Sequence, residues 1–158
     1  MKLQTNLSIK KQADNQIDYS SKIFLLGSCF SENIGNKLSY YKFQSQQNPF
    51  GILFHPKAIE QLIKSAIQQK VYTANDLVFK NERWHSLDAH SSLSAPDKKD
   101  VLINLNTALV KTKNQLEKAS HIIITLGTSW VYSYVKTGMI VANCHKIPQK
   151  EFSKELLS

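Results

Sequence analysis

Residues 22–38 read KIFLLGSCFSENIGNKL, and the reading of this stretch decides the fold. The apolar run up to Leu26 is short, as a buried strand would be. It stops at Gly27, which permits a tight turn, and a helical pattern begins at once. Either Ser28 or Ser31 can cap that helix through its hydroxyl. Phe30, Ile34, Leu38 and Tyr41 recur at helical spacing and are expected to form its apolar face. The unit is strand, sharp turn, helix, with Ser28 and Cys29 side by side at the junction.

Downstream, Tyr41–Ser45 predicts a second strand, closed by the turn-rich tetrapeptide NPFG at Asn48–Gly51. Pro56 suits the first position of a helix whose stripe is Ile59, Leu62, Ile63, Ala66 and Ile67. LVFKNERWHSL reads as a small hairpin turning at Asn81-Glu82, and DAHSSLSAPD as a loop. Asp97 caps a long helix with Val101, Leu102, Leu105, Leu109 and Leu116 inward. His121–Leu126 predicts a buried strand that again stops at a glycine, Gly127. Trp130–Val135 and Met139–Asn143 form a hairpin around Thr137-Gly138, and QKEFSKELLS predicts the first turns of a further helix. Upstream, residues 1–20 are polar and predict an extended arm, with the domain proper from residue 21.

Strands alternating with helices imply an α/β fold around a parallel sheet. Ligands of such sheets sit outside the carboxyl ends of the strands. Three strand ends, at GSC (Gly27–Cys29), NPFG and GTS (Gly127–Ser129), would meet at that edge.

A chain of 158 residues, 42% hydrophobic, can bury one real core. The net charge of +8 comes from scattered lysines, with Arg83 the only arginine. Bidentate readers of bases and phosphates are usually arginines, so nucleic acid is not an expected partner. No apolar leader and no bilayer-length apolar stretch are present, so a cytoplasmic location without membrane insertion is expected. Two cysteines, Cys29 and Cys144, without a CxxC pair, argue against a disulfide framework or a zinc site. No histidine spacing suggests a metal, and no cofactor is expected.

The blocks LGSCFSENIG, NPFGILFHP, WHSLDAHSSLS, ITLGTSWVY and VANCHKIPQKEF, in this order, resemble the GSCFA-domain family within the SGNH (GDSL-like) hydrolase superfamily. The resemblance implies a three-layer, flavodoxin-like sheet with helices on both faces. It implies serine hydrolysis or transfer of an acyl ester, with a small molecule or an acylated glycan as substrate. Ser28 falls on the nucleophilic serine, and Gly51 on a glycine whose N–H helps form the oxyanion hole. Gly127 opens the block that usually reads GxND, but here Ser129 replaces the asparagine. Asn48 or Asn143 would then supply the missing side-chain donor. The family's catalytic histidine lies in a late block that nothing after Lys146 resembles. The expectation is therefore a truncated domain whose base lies beyond Ser158, with His145 as the second choice.

The residues also allow other readings. A serine at a strand-to-helix turn has the helix dipole and free N–H groups to stabilise an oxyanion, but it still needs a base. Ser28 can equally be a plain helix cap. Cys29 is a second possible nucleophile, with His145 or His90 as partner, although a buried inert thiol is the expected state. His55 and His121 read as structural, whereas His90 and His145 lie in loops that can face the site. Without a base the chain would be a non-catalytic binding module. The sequence leaves the oligomeric state open.

Overall fold

The computed structural model describes residues 7–10 and 12–157, so the expected arm at residues 1–20 lies partly outside the described residues. The fold is α/β. Strand β1 (Lys22–Gly27) is the centre of a parallel sheet between β2 (Gln44–Gln47) and β5 (His121–Thr125). The register pairs Ile23 with His121 and Gly27 with Thr125, which sets Thr125 beside the turn after β1. The central strand is covered on both faces, and Ile23, Phe24, Leu25 and Leu26 are at most 1% exposed. That is why it reads as a continuous apolar run rather than an alternating one.

Phe24 and Leu26 pack into one core with helices α2 (Pro56–Ile67) and α3 (Lys98–Lys118). The expected stripes supply it: Ile59, Leu62 and Ala66 from α2, Val101, Leu105 and Leu109 from α3. Leu105 is fully buried there. Leu105→Ala should cost about 2–5 kcal/mol, read as a lower urea midpoint, because the lost contacts leave a cavity.

Helix α1 (Cys29–Tyr40) packs against the sheet differently from expectation. Its buried residues are Ser31 and Gly35, while Phe30 and Tyr41 are exposed. A side chain on Gly35 would collide with Gln47, its would-be Cβ lying 2.7 Å from the Gln47 amide carbon. Small residues one turn apart let the helix backbone approach the strands, and the apolar positions are left on another face. The second strand likewise begins later than Tyr41–Ser45, at Gln44, after a turn through Lys42 at φ 67°.

The hairpin of β3 (Val78–Lys80) and β4 (Arg83–His85) turns at Asn81 and Glu82, both at positive φ. Strands β6 (Trp130–Tyr134) and β7 (Met139–Val141) form the second expected hairpin. The terminal helix expected at QKEFSKELLS is absent. A short 3-10 turn at Gln149–Glu151 leads into β8 (Phe152–Leu156), antiparallel to β6. Lys, Glu and Leu favour helix locally, but Phe152 packs on Tyr134 and Glu155 accepts from the Ser133 hydroxyl at 2.8 Å. Tertiary pairing overrides the local preference. Among the described residues no helix is long and apolar enough to cross a membrane.

Candidate active site

The carboxyl ends of the three parallel strands are stitched together by the segment after β2. Asn48 sits at φ 42°, its N–H donating to Leu25 O at 3.0 Å and its Oδ1 accepting from Gly27 N–H at 2.9 Å. Leu53 N–H donates to Gly27 O at 2.9 Å, and Phe54 O accepts from Gly127 N–H at 2.7 Å and from Thr128 N–H at 3.1 Å. Gly127 lies against the turn: a Cβ built on it would be 3.5 Å from Ser28 Cβ. The edge expected from the sequence thus brings Ser28, Asn48 and Gly127 together.

Ser28 is the N-cap of α1, with extended backbone (φ −72°, ψ 179°), and its Oγ accepts from Phe30 N–H at 3.3 Å. It is 8% exposed. Its hydroxyl also lies 3.0 Å from Thr125 Oγ1, which in turn lies 2.7 Å from Ser31 Oγ. Thr125 and Ser31 were not singled out as site residues by the sequence. A threonine in a strand reads as an ordinary β-former. The N–H of Cys29, first in α1, meets no acceptor among the described residues. Cys29 itself is exposed, which corrects the buried thiol expected there. It stands two residues before the buried Ser31, on the opposite side of the helix.

The main-chain donors expected for an oxyanion have internal partners here. Ser28 N–H is shared between Thr125 O at 3.2 Å and Thr125 Oγ1 at 3.1 Å. Gly51 N–H donates to Asn48 O at 2.8 Å, and Gly127 N–H to Phe54 O. The side chain of Asn48 is the exception. Its Oδ1 is fixed by Gly27, so Nδ2 is turned the other way, shielded from solvent and without a partner among the described residues. Such an unpaired buried donor costs about 1–3 kcal/mol.

Gly51, at φ 72°, is crowded by the loop carrying His90: a Cβ here would sit 2.4 Å from His90 Cβ. Asn48, Gly51, His90 and Glu32 share a cleft of about 300 Å³. The His90 Nδ1 accepts from Ser92 N–H at 3.3 Å, leaving Nε2 without a partner among the described residues. His55 caps α2, Nδ1 accepting from Ala58 N–H at 3.1 Å and Nε2 donating to Val141 O at 3.0 Å.

His145 and Asn143 lie together on the turn after β7. Asn143 Oδ1 accepts from His145 N–H at 2.8 Å, and His145 Nε2 donates to Ser86 O at 2.7 Å. The His145 ring packs on His85, and its Nδ1 is buried without a partner among the described residues. No histidine hydrogen-bonds to Ser28 among the described residues. Burial, with the neighbouring His85 adding to it, holds His145 neutral and pushes its pKa from 6.5 down to about 4. The unfolded chain then takes up a proton below its ordinary pKa that the folded chain refuses. This contribution to stability is complete above pH 6.5 and is lost as pH falls towards 4. Urea midpoints should fall over that window by an equivalent of about 3 kcal/mol, and less steeply in His145→Gln.

No group of three or more His, Cys, Asp or Glu among the described residues is placed to hold a metal ion. A serine at the turn between a parallel strand and a helix, with a glycine backbone beside it, defines a candidate nucleophile site. The chain matches the GSCFA family over residues 22–158, and it belongs to that family. No curated protein and no solved structure matches it significantly.

Proposed function

We propose that this protein is an SGNH-type serine ester hydrolase or acyltransferase, with Ser28 as nucleophile. The observation that carries the reading is the position of Ser28: the capping residue at the carboxyl edge of the parallel sheet, with the Gly127 backbone alongside. The placement of α2 and α3 against Phe24 and Leu26, with α1 packed on the sheet through Ser31 and Gly35, supports the three-layer arrangement of that superfamily.

In this reading Ser28 Oγ attacks the acyl carbonyl carbon. An imidazole, which the described residues do not place at Ser28, takes its proton and returns it to the departing alcohol as the ester bond breaks. Water or an acceptor hydroxyl then removes the acyl group from Ser28. The positive end of α1 and the free Cys29 N–H favour the developing oxyanion. Asn48 supplies the side-chain donor in place of the asparagine missing at Ser129. Its Nδ2 has no partner among the described residues and is the side-chain donor left over at this edge. Asn143 is held on the turn after β7, its Oδ1 accepting from His145 N–H. The substrate class is a small acyl ester or an acylated glycan, the latter by analogy with the superfamily alone.

Release of acetate from an acetylated xylan, or of nitrophenol from its acetate ester, tests the proposal. The expected result is turnover that disappears in Ser28→Ala; turnover equal in both proteins would contradict it. That no histidine among the described residues is bonded to Ser28 favours a second reading, a binding module that retains the site without the chemistry. That reading predicts saturable binding of the acylated glycan with no acetate released.

A further inference from the structure

The hydroxyl cluster behind the nucleophile has a defined proton order. Ser31 Oγ lies 3.1 Å from Leu26 O, which can only accept, so the Ser31 proton points there. Ser31 Oγ then accepts from Thr125 at 2.7 Å. Thr125 Oγ1, having given its proton to Ser31, accepts from both Ser28 N–H at 3.1 Å and the Ser28 hydroxyl at 3.0 Å. The resting chain therefore runs Ser28 to Thr125 to Ser31 to Leu26 O, every hydroxyl donating once. Ser31 is fully buried, and the register of β5 on β1 fixes Thr125 opposite Gly27.

In that state the Ser28 proton is directed at an oxygen that has nowhere basic to send it. The reverse order, with Ser31 donating to Thr125 and Thr125 donating to Ser28, gives up the Ser31 hydrogen bond to Leu26 O in exchange for a charge-assisted one at Ser28 Oγ. We infer that Thr125 and Ser31 form a reversible hydroxyl relay: Thr125 accepts the Ser28 proton's hydrogen bond at rest, and turns to donate to Ser28 Oγ when that oxygen is activated. This inference rests on Ser28 being the nucleophile. The proton of Ser28 goes to an imidazole base as the new carbon–oxygen bond forms. Thr125 and Ser31 keep their own protons and only rotate them, so no charge enters the relay. Ser28 Oγ then accepts from both Phe30 N–H and the Thr125 hydroxyl. A hydrogen bond to an oxygen that is becoming anionic favours that form. Thr125 and Ser31 are thus positioning residues, acting on substrate only through Ser28.

The test is the rate at which a fluorophosphonate phosphonylates Ser28 in the full chain, for wild type, Thr125→Val and Thr125→Ser. Valine keeps the shape and removes the hydroxyl; serine restores it. Expected are a loss of about tenfold or more in Thr125→Val and recovery in Thr125→Ser. Rates in mixtures of light and heavy water should be bowed for wild type, where several hydroxyl hydrogens change partners, and linear for Thr125→Val. A loss of stability alone would leave that curvature unmoved. Equal rates and equal curvature in all three proteins would overturn the relay and leave the nucleophile standing. No label on Ser28 in wild type would overturn the nucleophile and the relay with it.

Discussion

Ser28→Ala is expected to lower ester turnover by about a thousandfold or more, to the level of the remaining binding groups. The reason is local. The Ser28 oxygen is at the capping position, held by Phe30 N–H and Thr125, and two other small nucleophiles, Ser31 and Cys29, lie nearby. Ser31 Oγ is buried and bonded to Leu26 O. Cys29 is exposed, on the side of α1 opposite Ser31. Cys29→Ala should therefore keep turnover within a few-fold of wild type, and steady-state rates on an aryl acetate compare the two. The opposite pattern, Cys29→Ala inactive and Ser28→Ala active, would make the protein a thiol hydrolase. The cap itself contributes to stability, so Ser28→Ala should also lose about 1 kcal/mol in urea. Ser28→Asn, another good cap, would retain most of that stability and none of the turnover.

Gly27→Ala is expected to have the largest effect on folding, about 3–5 kcal/mol or failure to fold. Gly27 has φ 132°, a region that side chains rarely adopt, and a Cβ there would lie 2.0 Å from Thr125 O. Both atoms belong to backbone held by strand pairing, so neither can retreat without breaking the β1–β5 register. The matched control is Gly138→Ala. It has φ 69° but nothing within 4 Å, so it should lose only the backbone cost of about 1–2 kcal/mol. Urea midpoints of the two variants, measured side by side, separate close approach from conformational preference. Similar losses would mean that the β1 turn relaxes freely.

The strand–turn–helix unit was legible because an apolar run ending at Gly27 admits few other readings. The parallel sheet followed from the order of strands and helices, and the cap at Asp97 from residue type, whereas residue type left the α1 cap open between Ser28 and Ser31 and the structure places it at Ser28. Reading failed where small or polar residues do the packing. The sheet-facing side of α1 is Ser31 and Gly35, which no hydrophobic pattern identifies. Strand β8 hides in helix-forming residues because its pairing partner β6 is distant along the chain. Within the candidate site, Ser28, Asn48 and Gly127 could be named from strand ends. Thr125 could not, because its role depends on the register with Gly27. His145 looked like a loop residue open to the site, whereas it is buried on His85 and bonded to Ser86 O.

The most direct measurement maps the covalent adduct. The full chain is incubated with a fluorophosphonate, digested, and the modified residue located by mass spectrometry. The account predicts phosphonylation of Ser28, with Ser31 unmodified. A label on Cys29 or Ser31 in place of Ser28, or no covalent adduct at all, would contradict it.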